Sequence, residues 1–137
     1  MAKLKGSIKI PGDKSISHRA LIFSALSVGQ TKINNLLESE DTLSTINILR
    51  KLGIKIKKIK NYWVINGNGV GGFIEPITAL DCGNSGTTAR LMLGAVSSNP
   101  INCTLIGDKS LSKRSMSRVT DYLEKIGASV NLTNDDY

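Results

Sequence analysis

One kind of loop-to-helix junction occurs twice in the sequence, and this repeat constrains the fold more than any other feature. The stretches 12–29 (GDKSISHRALIFSALSVG) and 83–98 (GNSGTTARLMLGAVSS) both begin at a glycine in a polar loop and continue into an apolar run typical of a helix. Aligned on their first glycines, they place Arg19 opposite Arg90 at an offset of 71 residues. A period of ~70 residues is too long for a solenoid and indicates a duplicated subdomain.

Hydrophobic periodicity and turn residues divide the chain into two units of the order β-α-β-α-β-β. The elements predicted for the first unit are strand 7–12, helix 17–28, strand 31–37, helix 41–52 and a hairpin over 54–67 that turns at Asn61. Those predicted for the second unit are strand 77–83, helix 85–97, strand 102–107, helix 115–126 and strand 128–133. This order of elements predicts an α/β (α+β) fold. Because the second unit stops one strand short, we expect the chain to belong to a longer protein.

Composition favours a globular protein with an anionic ligand. Of the 137 residues, 40% are hydrophobic and 21% charged, and the net charge is +7. Such a charge suits polyanions and small phosphorylated ligands equally. Much of it lies in residues 50–60, which we expect to form a solvated strand face because no aromatic residue is interleaved with these lysines for base stacking. With no apolar run of ~20 residues and no secretory signal, the expected location is the cytoplasm.

Cysteine and histidine are too scarce for several kinds of site. Cys82 and Cys103 are too few and too far apart for a disulfide framework or a zinc site, and we interpret them as small buried hydrophobic residues. His18 is the only histidine, which argues against histidine-based metal sites and a Ser/His/Asp triad. The chain is therefore better equipped to bind anions than to perform acid–base chemistry.

The first junction has the residues of an anion site. Lys14, Ser15 and Arg19 lie at or just inside a predicted helix start, where free backbone N–H groups and the helix dipole favour a phosphate or carboxylate. A plain helix cap with solvated cations is an equally good interpretation from spacing alone. Asp41, with its acidic neighbours Glu38 and Glu40, is more simply explained as an N-cap than as a catalytic group.

Two further segments have a related composition. In the second junction Gly86 allows close approach of a ligand, Asn84 and Thr87 offer short hydrogen-bonding side chains, and Arg90 supplies charge. The third segment, 107–118 (GDKSLSKRSMSR), carries cations including Arg114 in a loop between a strand and a helix. Either segment alone could be an ordinary helix start or surface loop. The repeat strengthens the functional interpretation, because paired junctions can face one cavity.

These three segments, in this order, resemble the 5-enolpyruvylshikimate-3-phosphate synthase family. The resemblance is carried by PGDKSISHRA at 11–20, DCGNSGTTARLM at 81–92 and GDKSLSKRSM at 107–116, and it runs the whole length of the chain. It implies two domains, each of three β-α-β-α-β-β units, with the active site between them. On this basis residues 1–11 form a strand of the other domain, 12–78 the first unit and 79–137 a truncated second unit.

The resemblance also implies a reaction and roles for residues. The family joins phosphoenolpyruvate to the 5-hydroxyl of shikimate 3-phosphate and releases phosphate, without a metal or organic cofactor. Lys14 would contact both substrates and take part in proton transfer, with Ser15 and Arg19 on shikimate 3-phosphate. The residues implied for phosphoenolpyruvate are Lys14, Gly86 and Arg114, supported by Asn84, Thr87, Arg90 and Asp41. The main acid–base carboxylates would lie beyond Tyr137, so we expect the isolated chain to be inactive.

The resemblance leaves several expectations open. Family members commonly have proline where this chain has Ser115, so the sequence departs from the family pattern directly after Arg114. Glyphosate competes with phosphoenolpyruvate in the family, and the glycine at 86 predicts a sensitive full-length enzyme, expected to be a monomer without nucleic-acid or membrane partners. The alternatives are an enzyme like UDP-N-acetylglucosamine enolpyruvyl transferase, disfavoured because neither cysteine lies in a suitable exposed loop, and a basic nucleic-acid-binding module.

Overall fold

Helices and short strands alternate along the chain. The computed structural model describes residue 3 and residues 5–132. The elements in chain order are α1 (Lys14–Leu26), β1 (Val28–Asn34), α2 (Glu40–Lys51), β2 (Lys55–Ile59), β3 (Tyr62–Asn68), β4 (Leu80–Asp81), α3 (Gly86–Val96), β5 (Leu105–Ile106), α4 (Lys109–Ser112) and α5 (Ser117–Lys125). This mixture of helices and strands confirms the predicted α+β class.

Capping side chains decide where the first two helices begin. Asp13 accepts a hydrogen bond from Ile16 N at 2.7 Å, so α1 begins three residues before the predicted start. The last helical residue of α1 is Leu26, and Ser27 is its C-cap. The predicted N-cap at Asp41 is also wrong, because Ser39 caps α2 in a reciprocal capping box with Thr42.

The first sheet has the strand order β1-β3-β2 with antiparallel pairing. The predicted hairpin is confirmed: β2 and β3 pair with Ile56 opposite Ile65, and the chain turns at Lys60 and Asn61. At Gly67 in β3, a Cβ atom would collide with the carbonyl oxygens of Ser24 and Ser27 at the end of α1. A glycine here lets the sheet approach the helix closely.

The second sheet is much smaller than predicted. Strands β4 and β5 pair in parallel, with Leu80 opposite Leu105, and each is two residues long. The strands predicted over 7–12 and 128–133 are not formed in their described parts, because residues 7–12 and 128–132 belong to no helix or strand. A strand needs a hydrogen-bonded neighbour, and within the described residues neither segment has one. Residue 133 and the others at the C-terminus lie outside the described residues, and the division into units remains a prediction.

A continuous core joins the two predicted units. The largest fully buried apolar side chains come from both, and they include Leu21, Ile46, Leu49, Ile65, Leu80 and Met92. Helices α1, α2 and α3 all contact one another, so both junctions lie on one helical layer. Among residues 3 and 5–132, no helix has both the length and the apolarity that crossing a membrane requires.

Candidate functional site

The first junction is exposed at the start of α1. Lys14 is the first residue of the helix, and its ammonium group forms an ion pair with the carboxylate of Asp41 at the start of α2. Ser15 and Arg19 are exposed one helical turn apart. The helix start therefore combines unpaired backbone N–H groups with two cations, as an anion site requires.

The second junction is built around the start of α3. Ser85 is the N-cap and accepts a hydrogen bond from Thr88 N at 3.1 Å, and the helix begins at Gly86. Thr87 is exposed on the first turn. Arg90 turns back along the helix, with Nη1 3.4 Å from the carbonyl oxygen of Gly86. The predicted helix start is thus confirmed to within one residue.

Asn84 ties the third segment to the second junction. Its Nδ2 donates to Asp108 at 2.6 Å, and its Oδ1 accepts from Nη2 of Arg114 at 2.8 Å. Asp108 also caps the short helix α4 by accepting from Ser110 N and Leu111 N. The hydrogen bond from Asn84, with help from these backbone donors, lowers the pKa of Asp108. The loop that carries Arg114 is therefore held in place by Asn84, which contacts Arg114, and by Asp108, which caps α4.

Two guanidinium groups lie against Gly86. A Cβ atom built on this residue would be 2.8 Å from Nη1 of Arg90 and 3.3 Å from Nη1 of Arg114. Nη2 of Arg90 also donates to the carbonyl oxygen of Ser115 at 3.0 Å, so Ser115 takes part in fixing this loop through its backbone. The geometry concentrates positive charge beside the first residue of α3, which suits a small dianion.

Asp41 connects the first junction to the second. Its carboxylate pairs with Lys14, while its backbone carbonyl accepts a hydrogen bond from Thr88 Oγ1 at 3.1 Å. The first turns of α1, α2 and α3 consequently converge at one residue. Glu38 has a different role, because its carboxylate accepts hydrogen bonds from Lys58 and Trp63, and the bond from Lys58 is the main cause of its lowered pKa.

The structure brings most of the predicted site residues together. Lys14 and Asp41 are linked to the second junction through Thr88, and that junction is linked to Arg114 through Asn84. Within the described part of the chain, Ser15 and Arg19 make no hydrogen bond to the second junction; they share the helix start with Lys14.

Sequence reasoning missed the buried polar residues beneath the two junctions. His18, Thr45 and Thr88 are fully buried and hydrogen-bonded to one another across three helices. Burial lowers the pKa of His18, Lys14 lowers it further, and Asp41 opposes the shift. The available signal was the single histidine four residues after Lys14, on the same side of the helix as the predicted anion site.

Of the two cysteines predicted to be buried, Cys82 is buried and Cys103 only partly so. Cys82 is fully buried after β4, and desolvation raises the pKa of its thiol to about 12. Cys103 is half-buried, and burial also raises the pKa of its thiol. Thiols in this state are poor nucleophiles at neutral pH. Within residues 3 and 5–132 no cluster of three His, Cys, Asp or Glu side chains could hold a metal ion, and the absence of a cofactor stays a prediction.

Comparison with known proteins identifies the family. The sequence model of EPSP synthase (3-phosphoshikimate 1-carboxyvinyltransferase) matches residues 1–137. The chain belongs to the EPSP synthase family. The 3-phosphoshikimate 1-carboxyvinyltransferase of Paracoccus denitrificans is 53% identical over 128 residues, which make up 93% of this chain and 29% of the relative. That of Bacillus cytotoxicus is 53% identical over 132 residues, or 96% of this chain and 31% of the relative.

Solved structures agree with this membership. The EPSP synthase from Acinetobacter baumannii superposes with a TM-score of 0.89 at 39% identity, covering 95% of this chain and 29% of that structure. The chain thus spans about three tenths of the length of the EPSP synthases it matches. The predicted family and fold class are confirmed.

Proposed function

We propose that this chain forms the N-terminal part of an EPSP synthase. The enzyme transfers the enolpyruvyl group of phosphoenolpyruvate to the 5-hydroxyl of shikimate 3-phosphate and releases phosphate. Both substrates are polyanions, and the convergence of two basic helix starts at Asp41 is the observation that carries the proposal. Each helix start offers backbone N–H groups and at least one cation to an anion.

On the shikimate 3-phosphate side, the binding residues are Lys14, Ser15 and Arg19. All three are exposed within the first two turns of α1. Ser15 contributes a hydroxyl, and Arg19 a planar fork suited to a phosphate. Lys14 contributes a compact charge that can move from Asp41 to either substrate, since an exposed ion pair is worth little and is readily exchanged.

On the phosphoenolpyruvate side, Gly86 and Arg114 are the main contacts, with Lys14 reaching across. Asn84 positions Arg114 through a 2.8 Å hydrogen bond. Arg90 keeps its guanidinium beside Gly86, and the exposed hydroxyl of Thr87 completes the helix start. Asp41 supports the arrangement by holding Lys14 until substrate binds.

Catalysis by this part of the enzyme is mainly electrostatic. The reaction passes through a tetrahedral intermediate while phosphate leaves, and the cations around Gly86 stabilise the charge that develops on the leaving group. Lys14 is the group here that can donate or accept a proton near both substrates. The remaining acid–base groups belong to the rest of the enzyme, so residues 1–137 alone are inactive.

Genetic complementation tests this proposal. Residues 1–137 are joined to the remainder of the Paracoccus denitrificans synthase, whose matching part is 53% identical. The chimera should restore growth without aromatic amino acids to bacteria that lack their own EPSP synthase, whereas residues 1–137 alone should not. Failure of a chimera that is expressed and folded, alongside success of the parent enzyme, would contradict the proposal.

Two alternatives predict different outcomes. An enzyme of the UDP-N-acetylglucosamine type would use a reactive cysteine, for which the buried Cys82 is unsuited. A nucleic-acid-binding module would bind RNA tightly at moderate salt with a steep dependence on salt concentration. We propose that the enzyme is a cytoplasmic monomer whose ligands are the two small anions, so RNA binding should be weak and lost as salt rises.

A further inference from the structure

A buried chain of hydrogen bonds runs beneath the two anion-binding helix starts. Nδ1 of His18 on α1 is 2.8 Å from Oγ1 of Thr45 on α2, which is 3.0 Å from Oγ1 of Thr88 on α3. Thr88 Oγ1 in turn lies 3.1 Å from the carbonyl oxygen of Asp41 and 2.8 Å from Oγ of Ser85. This hydrogen-bond network therefore joins three helices. It ends at Asp41, which pairs with Lys14, and at Ser85, which caps α3.

The contacts of Thr88 and of His18, at the two ends of this hydrogen-bond network, constrain its proton positions. Thr88 has a single hydroxyl proton, and whether it points to Asp41 or to Ser85, it points away from Thr45. The hydroxyl of Thr45 lies 3.0 Å from Oγ1 of Thr88 and 3.4 Å from the carbonyl oxygen of Asp41, and when it donates to either of them its own oxygen accepts from an N–H of His18. This direction requires a proton on Nδ1 of His18.

The second ring nitrogen supports the same assignment. Nε2 of His18 is buried and has no hydrogen-bond partner among the described residues. A buried N–H without an acceptor is rarer and more costly than a buried lone pair without a donor. The tautomer that carries the proton on Nδ1 leaves only a lone pair on Nε2.

The three helices do not need a buried polar network for their stability, because apolar side chains of the same size would pack at least as well in its place. A buried hydrogen-bond network instead favours one relative arrangement of the elements it joins. Here those elements are the helix starts that carry Lys14 on one side and Gly86 on the other.

We propose that His18, Thr45 and Thr88 form a positioning network that sets the distance between the two substrate sites. The inference rests on the proposed function, since it assigns the network a role in that reaction. His18 touches neither substrate and acts through Thr45 and Thr88. Each substrate retains its own binding groups when the network is broken. Breaking it should therefore lower kcat, whereas the KM for each substrate should change little.

Matched substitutions in the active chimera test the network. His18→Leu and Thr45→Val remove one link each and should lower kcat by about 10- to 100-fold. His18→Asn, whose amide can donate from the place of Nδ1, and Thr45→Ser should retain most activity. Thr120→Val is the control, because Thr120 is also a buried threonine, on α5, and among the described residues its hydroxyl bonds only to the nearby Met116 and Asp121. Assays are made well below each unfolding midpoint, so that loss of folded protein cannot lower kcat.

A spectroscopic readout is independent of activity. Because His18 is the only histidine of the 137-residue chain, ¹⁵N-labelling of histidine in that chain gives one pair of ring signals. The proposal requires a protonated Nδ1 and an unprotonated Nε2 at neutral pH. A proton on Nε2, or kcat values for His18→Leu and Thr45→Val within twofold of Thr120→Val, would overturn it. An inactive wild-type chimera would instead refute the proposed function. The ring signals would still show whether Nδ1 of His18 donates to Thr45 or accepts from it.

Discussion

The hydroxyl of Thr88 lies 3.1 Å from the carbonyl oxygen of Asp41, a residue 47 positions earlier whose carboxylate holds Lys14. Through this contact the start of the third helix bears on the residue that orients the first cation of the site. The two junctions are therefore directly linked, and a substitution in one should affect the position of side chains in the other.

Removal of the cation at the start of α1 should be the most damaging change to activity. We expect Lys14→Met in the chimera to lower kcat/KM by about 100-fold or more, because Lys14 is proposed to meet both substrates and the developing charge. Lys14→Arg should recover only part of this, since a planar guanidinium cannot replace a compact ammonium group. Lys55→Met, at an exposed position of β2, is the matched control and should remain active. Equal activity of Lys14→Met and the control would refute the role of Lys14.

A methyl group at the second junction should separate the two substrates. In Gly86→Ala the new Cβ would displace the guanidinium groups of Arg90 and Arg114, so the KM for phosphoenolpyruvate should rise roughly tenfold while that for shikimate 3-phosphate changes little. Inhibition by glyphosate, expected to compete with phosphoenolpyruvate, should weaken in the same variant. Gly94→Ala on the same helix is the control, because a Cβ there meets no atom within 4 Å. Steady-state kinetics with each substrate varied in turn would show an equal rise in both KM values if this account is wrong.

The stability of the chain should depend on pH through its single histidine. Burial lowers the pKa of His18 in the folded state, so the unfolded chain, with a histidine pKa near 6.5, takes up the proton first as pH falls. The contribution of His18 is therefore complete above about pH 6.5 and is lost as pH falls through the folded pKa. Urea unfolding of the wild type should show this loss as pH falls below about 6.5, the unfolded histidine pKa, whereas His18→Asn should give a flatter profile. Parallel profiles would show that His18 is not the titrating group.

Ser39 should matter to stability although it lies outside the site. It caps α2 by accepting from Thr42 N, while Thr42 Oγ1 accepts from Ser39 N at 2.9 Å. Ser39→Ala should lower the free energy of unfolding by about 1 kcal/mol, as measured by urea denaturation. Ser97→Ala, at an exposed serine beyond the end of α3, should cost less than about 0.5 kcal/mol. A cost for Ser39→Ala no larger than the control would mean that the cap is dispensable.

Local signals in the sequence were enough for the helices and the hairpin. The start of α3 at Gly86 and the turn at Asn61 follow from glycine, asparagine and hydrophobic periodicity, and both are in the structure. The starts of α1 and α2 were misplaced because Asp13 and Ser39 compete with nearby residues for the cap, and spacing alone does not rank them. The terminal strands were wrong within the described residues, since a strand depends on a neighbour that its own sequence cannot supply.

The candidate site divides in the same way. Lys14, Gly86 and Arg90 became candidates from the sequence because charge and glycine at helix starts have a direct physical meaning, whereas the role expected of Arg114 came from the family resemblance. The links between these residues could not be found from the sequence, because hydrogen bonds such as that from Asn84 to Asp108 join residues far apart in the chain. The network of His18, Thr45 and Thr88 was hidden for a further reason: a threonine inside an amphipathic helix looks the same whether it faces solvent or a partner helix.

The most direct test of the account is an assay of the purified chimera with both substrates. Phosphate release from phosphoenolpyruvate should require shikimate 3-phosphate, should match the amount of enolpyruvyl product formed, and should fall by about 100-fold or more in Lys14→Met. A folded chimera that binds neither substrate and releases no phosphate, when the parent enzyme does both, would contradict the central claim that these two helix starts form half of an EPSP synthase active site.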